Sequence, residues 1–156
     1  MSQDARGGVP PETVFDLAVP ARPDRLKLVR ACMAEGARAA DLPEEAATDL
    51  IHAVDEACQN IIRHGYGDPA DPAEPEGEIG VTFVRWADSV AVTLSDTAGP
   101  IPPEVLNPRA SSDPAQGDLA QGGMGLPIIR ACVDDLRAQP RPDGRGNRLT
   151  LTKRIG

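Results

Sequence analysis

The chain has 156 residues, the size of one domain with a single hydrophobic core. Its formal net charge of -8 argues against a basic nucleic-acid-binding surface, and no apolar run approaches the roughly 20 residues of a membrane span. Only 3% of the residues are aromatic, so aliphatic side chains must fill the core.

The N-terminal segment 1–11 is polar and rich in glycine and proline, so we expect a loose tail ahead of one domain spanning residues 12–156. This segment lacks the charged and apolar regions of a signal peptide. The three cysteines, Cys32, Cys58 and Cys132, are far apart and none forms a CxxC pair, which indicates small core residues in a reducing compartment. We therefore expect a cytoplasmic protein that binds neither nucleic acid nor a membrane.

The first half of the domain is predicted to contain one strand and two helices. Alternating apolar residues predict a strand over 13–19, and a helix follows over 25–40 with Asp24 as its N-cap. The Asp-Leu-Pro sequence at 41–43 breaks that helix and starts the next one. We expect the second helix to stop at Gly65, in a left-handed conformation.

The second half is predicted to contain four strands and one helix. An acidic, proline-rich loop over 68–77 leads into a hairpin, and a segment over 97–121 has five prolines and no period, which is typical of a lid or of disorder. The predicted elements are strands over 78–86, 89–95, 136–139 and 148–152 and a helix over 126–134. Hairpin-linked strands with grouped helices predict an α+β two-layer sandwich, with a mostly antiparallel sheet covered by helices on one face.

A polar line climbs the second helix at spacings of four: His52, Glu56, Asn60 and His64. Residues four apart share a helix face, so Glu56 and Asn60 point the same way on neighbouring turns. The Asn oxygen is suited to Mg²⁺, and Glu can act as a general base. The same pattern also fits an ordinary solvated face of an amphipathic helix.

A second candidate stretch begins at Asp96, where the predicted hairpin ends. Its carboxylate can accept a hydrogen bond from an amine, and the small residues Ala98 and Gly99 would let a flat ring lie against the backbone. An ordinary turn is the alternative, because Asp followed by Gly is common in loops.

A glycine-rich stretch opens the third helix and is the last candidate. Unhindered N–H groups at a helix N-terminus bind anions such as phosphate, although a flexible hinge has the same composition. The residues concerned are Gly122, Gly123, Met124, Gly125 and Leu126. Together the three stretches offer a metal ligand, a base, a purine acceptor and a phosphate cradle, which are the parts that phosphoryl transfer needs.

The segment 56–66, Glu-Ala-Cys-Gln-Asn-Ile-Ile-Arg-His-Gly-Tyr, resembles the N box of the Bergerat-fold (GHKL) ATPases. Its form is typical of the bacterial anti-sigma factor serine kinases (RsbW-like). The stretch from Asp96 resembles the adenine box of these proteins, and 123–129 resembles their second glycine box. The resemblance covers residues 13–153 approximately, and it implies a Bergerat-type fold that binds ATP and Mg²⁺.

The resemblance also implies residue roles and an activity. Asn60 would be the Mg²⁺ ligand, Glu56 the base, Asp96 the partner of the adenine amine, and Gly123 and Gly125 part of the phosphate-binding lid. The activity would be that of a protein serine/threonine kinase that phosphorylates a small STAS-type anti-anti-sigma protein. Such a kinase also holds a sigma factor inactive, commonly as a homodimer, and phosphorylation decides which partner it binds.

One departure from the family pattern leaves other functions open. Ala98 and Pro100 stand where the family has glycines, and Gly99 falls between them. The alanine methyl would obstruct a left-handed backbone, and proline removes an N–H. The chain could therefore be a non-catalytic module that sequesters a regulatory protein, with weak or no ATP binding. A detached catalytic half of a histidine kinase is a further alternative, though no dimerisation helix with a phosphoacceptor histidine is evident.

Overall fold

A computed structural model of the protein describes residues 10–66, 77–97 and 125–155. Most of the predicted tail, the acidic loop and the lid segment lie outside these residues. The described strands are β1 (Glu12–Pro20), β2 (Glu78–Arg85), β3 (Ser89–Asp96), β4 (Asp135–Pro140) and β5 (Asn147–Arg154). The described α-helices are α1 (Leu26–Ala39), α2 (Glu44–Asn60) and α3 (Gly125–Cys132).

The strands form one antiparallel sheet in the order β1-β2-β3-β5-β4. The β2–β3 hairpin closes where the Trp86 N–H donates a hydrogen bond to the Ser89 carbonyl at 2.7 Å. After β3 the chain passes through α3 to the sheet edge as β4 and returns as β5, which lies beside β3. The predicted antiparallel sheet is thereby confirmed, and the chain order brings the end of β3 against the start of β5.

The hydrophobic core lies between the helices and one face of the sheet. Every second residue of the central strands points inward, as the alternating pattern predicts. The fully buried strand residues are Ile79, Val81, Phe83, Val90, Val92, Leu94 and Leu151. From the helices, Met33, Leu50 and Val54 are equally buried. Aliphatic residues therefore dominate the core, and the aromatic contribution comes from Phe83 and its tilted neighbour Phe15, with ring centroids 5.6 Å apart.

Helix α2 packs against both α1 and α3 and is tied to its surroundings by ion pairs. On the α1 side, the Arg30 guanidinium donates a hydrogen bond to Asp55 at 2.7 Å. On the sheet side, the Lys153 ammonium of β5 lies 3.2 Å from the Asp49 carboxylate. Within the described part of the chain, no helix has the length and apolarity needed to cross a bilayer.

Two predicted helix ends are wrong. Asp24 is not an N-cap, because its carboxylate accepts a hydrogen bond from Arg22 at 2.5 Å and a 3-10 turn, Pro23–Arg25, precedes α1. Gly65 does not stop the second helix, since a π-helical segment, Ile61–Tyr66, continues it. Ile61 and Ile62 of this segment are 4% and 6% exposed, so the apolar stripe of the second helix continues past Asn60. The glycine itself lies within the helical winding and does not end it.

The cysteines are free thiols on helices, but they differ in burial. Cys58 is fully buried, and burial together with the nearby Asp55 charge raises its pKa to about 12. It is therefore a neutral core residue at physiological pH, as predicted. Cys32 and Cys132 are only half-buried, so the prediction of small core residues holds for them in part.

Two glycines in the β4–β5 connection allow a matched test of how closely β3 and β5 approach each other. Gly146 has φ +119, and a Cβ there would lie 1.9 Å from the Asp96 carbonyl oxygen. Gly144 has φ +74 but open space around it. We expect Gly146→Ala to lower the free energy of unfolding by about 3 kcal/mol or more, because β3 and β5 must separate. Gly144→Ala should cost about 1 kcal/mol, from backbone strain alone.

Urea denaturation of the two variants measures both losses on one scale. Equal losses would contradict the close approach of Gly146 to Asp96.

Candidate functional site

Asn60 is the last α-helical residue of α2 and carries an unusual oxygen. Its side-chain Oδ1 is buried, and no donor among the described residues reaches it. Buried carbonyl oxygens are nearly always hydrogen-bonded, and leaving one unsatisfied costs about 1–3 kcal/mol. Among the described residues, the oxygen is therefore left open for a further partner.

The chemistry of this oxygen fits the predicted Mg²⁺ ligand. Magnesium prefers oxygen donors and is often held by one or two protein groups together with substrate phosphates. Among the described residues, no cluster of three or more His, Cys, Asp or Glu side chains could hold a metal ion. A single amide oxygen such as Asn60 Oδ1 would match the first of these two modes, one protein ligand beside substrate phosphates.

Glu56 lies one turn before Asn60 on the same face of α2. Its side chain is 23% exposed, so the carboxylate is partly sheltered but still in contact with solvent. The face adjoins α3: burial and the negative charges of Asp49 and Glu56 raise the pKa of Cys132 on that helix, while Lys153 lowers it. The predicted base therefore lies near the helix that the glycine-rich stretch opens.

Asp96 is the last residue of β3 and is only 3% exposed. The Asn147 side-chain amide donates a hydrogen bond to its Oδ1 at 2.9 Å. Asn147 is the first residue of β5 and pairs with Asp96 in the sheet register. This contact holds the carboxylate in a set orientation at the end of the strand.

Asn147 is a residue that sequence reasoning missed. It lies 51 positions from Asp96, and only the pairing of β5 with β3 brings the two together. The one available signal was the neighbouring Gly146, whose missing side chain lets the β5 start approach the Asp96 backbone. A glycine in a strand start often marks such a close approach.

The glycine-rich stretch is described only in part. Gly125 begins α3, and Leu126 lies in its first turn, which agrees with the predicted helix start. Helix N-termini carry free N–H groups that favour anions. Ala98, Gly99, Gly122, Gly123 and Met124 lie outside the described residues, so their roles stay predictions.

Comparisons with known proteins agree with the fold and with the predicted resemblance. Residues 19–153 match the family of histidine kinase-like ATPase domains. The chain is 28% identical over 135 residues to the serine-protein kinase RsbW of Bacillus pumilus, covering 82% of this chain and 80% of that protein. It is 26% identical over 129 residues to the serine-protein kinase RsbW of Bacillus subtilis, with 80% and 77% covered.

Two solved structures share the fold at low sequence identity. The RsbU and RsbW domains of a Mycobacterium tuberculosis protein match with a TM-score of 0.60 at 21% identity, over 94% of this chain and 33% of that chain. The SiaB–SiaC complex from Pseudomonas aeruginosa matches with a TM-score of 0.58 at 19% identity, over 99% of this chain and 95% of that chain. The predicted Bergerat-type sandwich is confirmed.

The unsatisfied Asn60 oxygen leads to a prediction about stability without ligand. Asn60→Leu keeps the side-chain size and removes the buried carbonyl. We expect the ligand-free variant to gain about 1 kcal/mol in free energy of unfolding, or about 2–4 °C in melting temperature. A lower melting temperature for the variant would show that Oδ1 already has a partner in the ligand-free protein.

Proposed function

Because the chain belongs to the family of histidine kinase-like ATPase domains, we propose that it is an ATP-dependent protein serine/threonine kinase. It acts as an anti-sigma factor in a partner-switching system. Relatives named serine-protein kinase RsbW, at 25–28% identity over most of the chain, support the kinase assignment. The observation that carries the proposal is the buried, unsatisfied oxygen of Asn60 one turn beyond Glu56.

Asn60 would hold Mg²⁺ through Oδ1 when nucleotide is bound. The bound ion supplies neutralisation of the phosphate charges and helps to orient the transferred group. The cost of leaving that oxygen unsatisfied is then recovered in the complex, since the hydrogen-bond acceptor becomes a metal ligand. This would favour the nucleotide-bound form over the free one.

Glu56 would act as the general base for a serine or threonine hydroxyl of the substrate protein. Its carboxylate accepts the hydroxyl proton while the hydroxyl oxygen forms a bond to the γ-phosphorus of ATP. The bond from that phosphorus to the β–γ bridging oxygen breaks, and ADP leaves with the electron pair. The partial exposure of Glu56 supports this role, because the acceptor hydroxyl must arrive from another protein.

Asp96 would recognise adenine by accepting a hydrogen bond from its exocyclic amine. The contact with Asn147 supports this role because it orients the carboxylate before the base arrives. Ala98 and Gly99 would border the ring. Backbone N–H groups from Gly122 through Leu126 would complete the phosphate cradle at the start of α3.

The partners follow from the same family assignment. We propose a small STAS-type anti-anti-sigma protein as the phosphate acceptor and a sigma factor as the sequestered partner, with the kinase acting as a homodimer. The net charge of -8 is compatible with control through proteins and argues against direct DNA contact.

A second candidate function rests on the departure at Ala98 and Pro100. If these residues prevent nucleotide binding, the same sandwich would serve as a non-catalytic module that sequesters a regulatory protein. The two functions differ in one measurable property, the affinity for ATP and Mg²⁺.

Thermal unfolding with and without nucleotide separates these functions. Ligand at 100 times its dissociation constant adds about 2.7 kcal/mol to the free energy of unfolding, which corresponds to about 5–10 °C for a domain of this size. We expect this rise in melting temperature with ATP and Mg²⁺ and a much smaller one in Asn60→Leu. An unchanged melting temperature at millimolar ATP would favour the binding module.

The base assignment is tested by Glu56→Gln, which keeps the shape of the side chain and removes its proton affinity. We expect transfer of phosphate to the acceptor protein to fall about 10²–10⁴-fold, with ATP binding retained. Radiolabelled ATP with candidate STAS-type proteins measures the transfer and identifies the modified hydroxyl. The exposed Glu45→Gln, near the other end of α2, is the matched control. Transfer at the wild-type rate in Glu56→Gln would remove Glu56 from the role of base.

A further inference from the structure

The face of the sheet that points away from the helices has an uncharged centre. Side chains alternate along a strand, so the residues between the buried ones point outward. In the middle of β2, β3 and β5 these outward residues are uncharged and half-buried: Thr82, Val84, Ala91, Thr93, Thr150 and Thr152. The three described α-helices all contribute to the core on the opposite face, so they leave this one uncovered.

One row of outward residues crosses all five described strands at a single level. Asp16 of β1 pairs with Thr82 of β2, which pairs with Thr93 of β3. Thr93 pairs with Thr150 of β5, which pairs with Arg137 of β4. The row therefore begins with an acidic residue, ends with a basic residue and has three threonines between them.

Side-chain contacts along this row order both of its halves. The Thr82 hydroxyl donates a hydrogen bond to the Asp16 carboxylate at 2.9 Å, and the hydroxyl oxygens of Thr93 and Thr150 lie 3.4 Å apart. The Arg137 side chain is 81% exposed, and its Nε lies 2.9 Å from the Asp135 carboxylate. Because a guanidinium has five N–H groups, this contact leaves the terminal nitrogens of Arg137 able to donate to a second carboxylate.

The row is self-complementary about its middle residue. Thr93 lies two strands from each charged end, a distance of about 10 Å at the usual strand spacing. A two-fold axis parallel to the strands and above Thr93 would stack β1 of one copy on β4 of the other. Each Asp16 would then face an Arg137, and the uncharged centres would face each other. An axis across the strands would instead oppose Asp16 to Asp16, so the charges favour the first arrangement.

The size and composition of the face suit such a contact. Five strands about 4.8 Å apart and about 25 Å long give a face of roughly 500–600 Å² per copy. Two stacked copies would bury about 1,000–1,200 Å² in total, which reaches the lower limit of specific interfaces. The central part of an interface is typically poor in charged residues and its rim is polar, as in this row.

We propose that this outward sheet face joins two copies of the chain in a symmetric dimer. The two sheets stack with their strands aligned to within about 30°, as in β-sandwiches. The proposal rests on the proposed function in one respect, because it assigns a surface to the homodimer named there. The helix that carries Glu56 and Asn60 lies on the other side of each sheet, so both candidate sites stay accessible to an acceptor protein.

A charge at the centre of the face tests the contact. Thr93 lies on the two-fold axis, so Thr93→Arg brings two guanidinium groups together and removes them from water. We expect sedimentation velocity to show a wild-type dimer at about 50 µM and a dimer Kd at least about 100-fold higher in Thr93→Arg. Thr48→Arg is the matched control, because Thr48 is exposed on α2, on the helical side. Its Kd should stay within about twofold of the wild type.

Exchange of the two end charges tests the orientation. Asp16→Arg alone, or Arg137→Asp alone, would place like charges against each other at both ends of the stacked rows. Each should raise the dimer Kd about tenfold. The double variant Asp16→Arg/Arg137→Asp keeps opposite charges together, so its Kd should return to within about threefold of the wild type. Substitutions at exposed positions have little effect on folding, so this set remains decisive even if Thr93→Arg does not fold.

Three results would overturn the proposal. The first is a dimer whose Kd is unchanged in folded Thr93→Arg, and the second is a double variant that stays as weak as the single ones. The third is a monomeric wild type. In that case, a melting temperature more than about 5 °C lower in Thr93→Arg would assign the face to another segment of this chain, and an unchanged one would leave it to a different protein.

Phosphate transfer, measured separately, distinguishes this proposal from the kinase assignment. An active kinase that sediments as a monomer would overturn the sheet-face dimer and leave the kinase assignment standing. A dimer that responds to the variants as expected but transfers no phosphate would support the sheet face and overturn the kinase assignment.

Discussion

Burial of one stripe of α2 is the interaction on which the rest of the structure depends. Leu50, Val54, Ala57 and Cys58 are at most 1% exposed and lie in the core formed with the sheet. Burial of each larger side chain contributes about 1.5–3 kcal/mol, so rotation of the helix about its axis would be costly. The polar face with Glu56 therefore has one direction available, beside the core and next to α3. Core packing and site geometry are set by the same helix.

In the sheet, the pairing of β3 with β5 likewise sets both the packing and the position of a candidate site residue. Strand order places Asn147 opposite Asp96, and Gly146 allows the backbones to approach there without a side chain between them. A buried carboxylate would be costly if it had no donor nearby. The amide of Asn147 meets part of that requirement and orients the group in the same contact. This hydrogen bond therefore contributes both to stability at this end of the sheet and to the orientation of the carboxylate.

At Asn60, by contrast, burial of the side-chain oxygen is not matched by hydrogen bonding. Its neighbours on α2 are well packed, and the flanking ion pairs from Arg30 and Lys153 hold the helix from two sides. Within that firm frame the Asn60 Oδ1 atom has no hydrogen-bond partner among the residues that the structure describes. Functional sites commonly carry such locally unfavourable features, which the surrounding fold can tolerate. The π-helical winding that starts at the next residue is a second irregularity of the kind found at functional sites.

The sequence by itself determined what depends on near neighbours. Period-3.6 and period-2 patterns identified the helices and hairpins, and spacing by four placed Glu56 and Asn60 on one face. The tertiary structure alone decided what depends on distant residues. Strand order made Asn147 a partner of Asp96, and packing shielded the Asn60 oxygen from solvent. The change from α-helical to π-helical winding at Ile61 was likewise visible only in the structure. Local patterns record which face of an element is apolar, whereas the identity of the opposing residue is settled only when that face is packed.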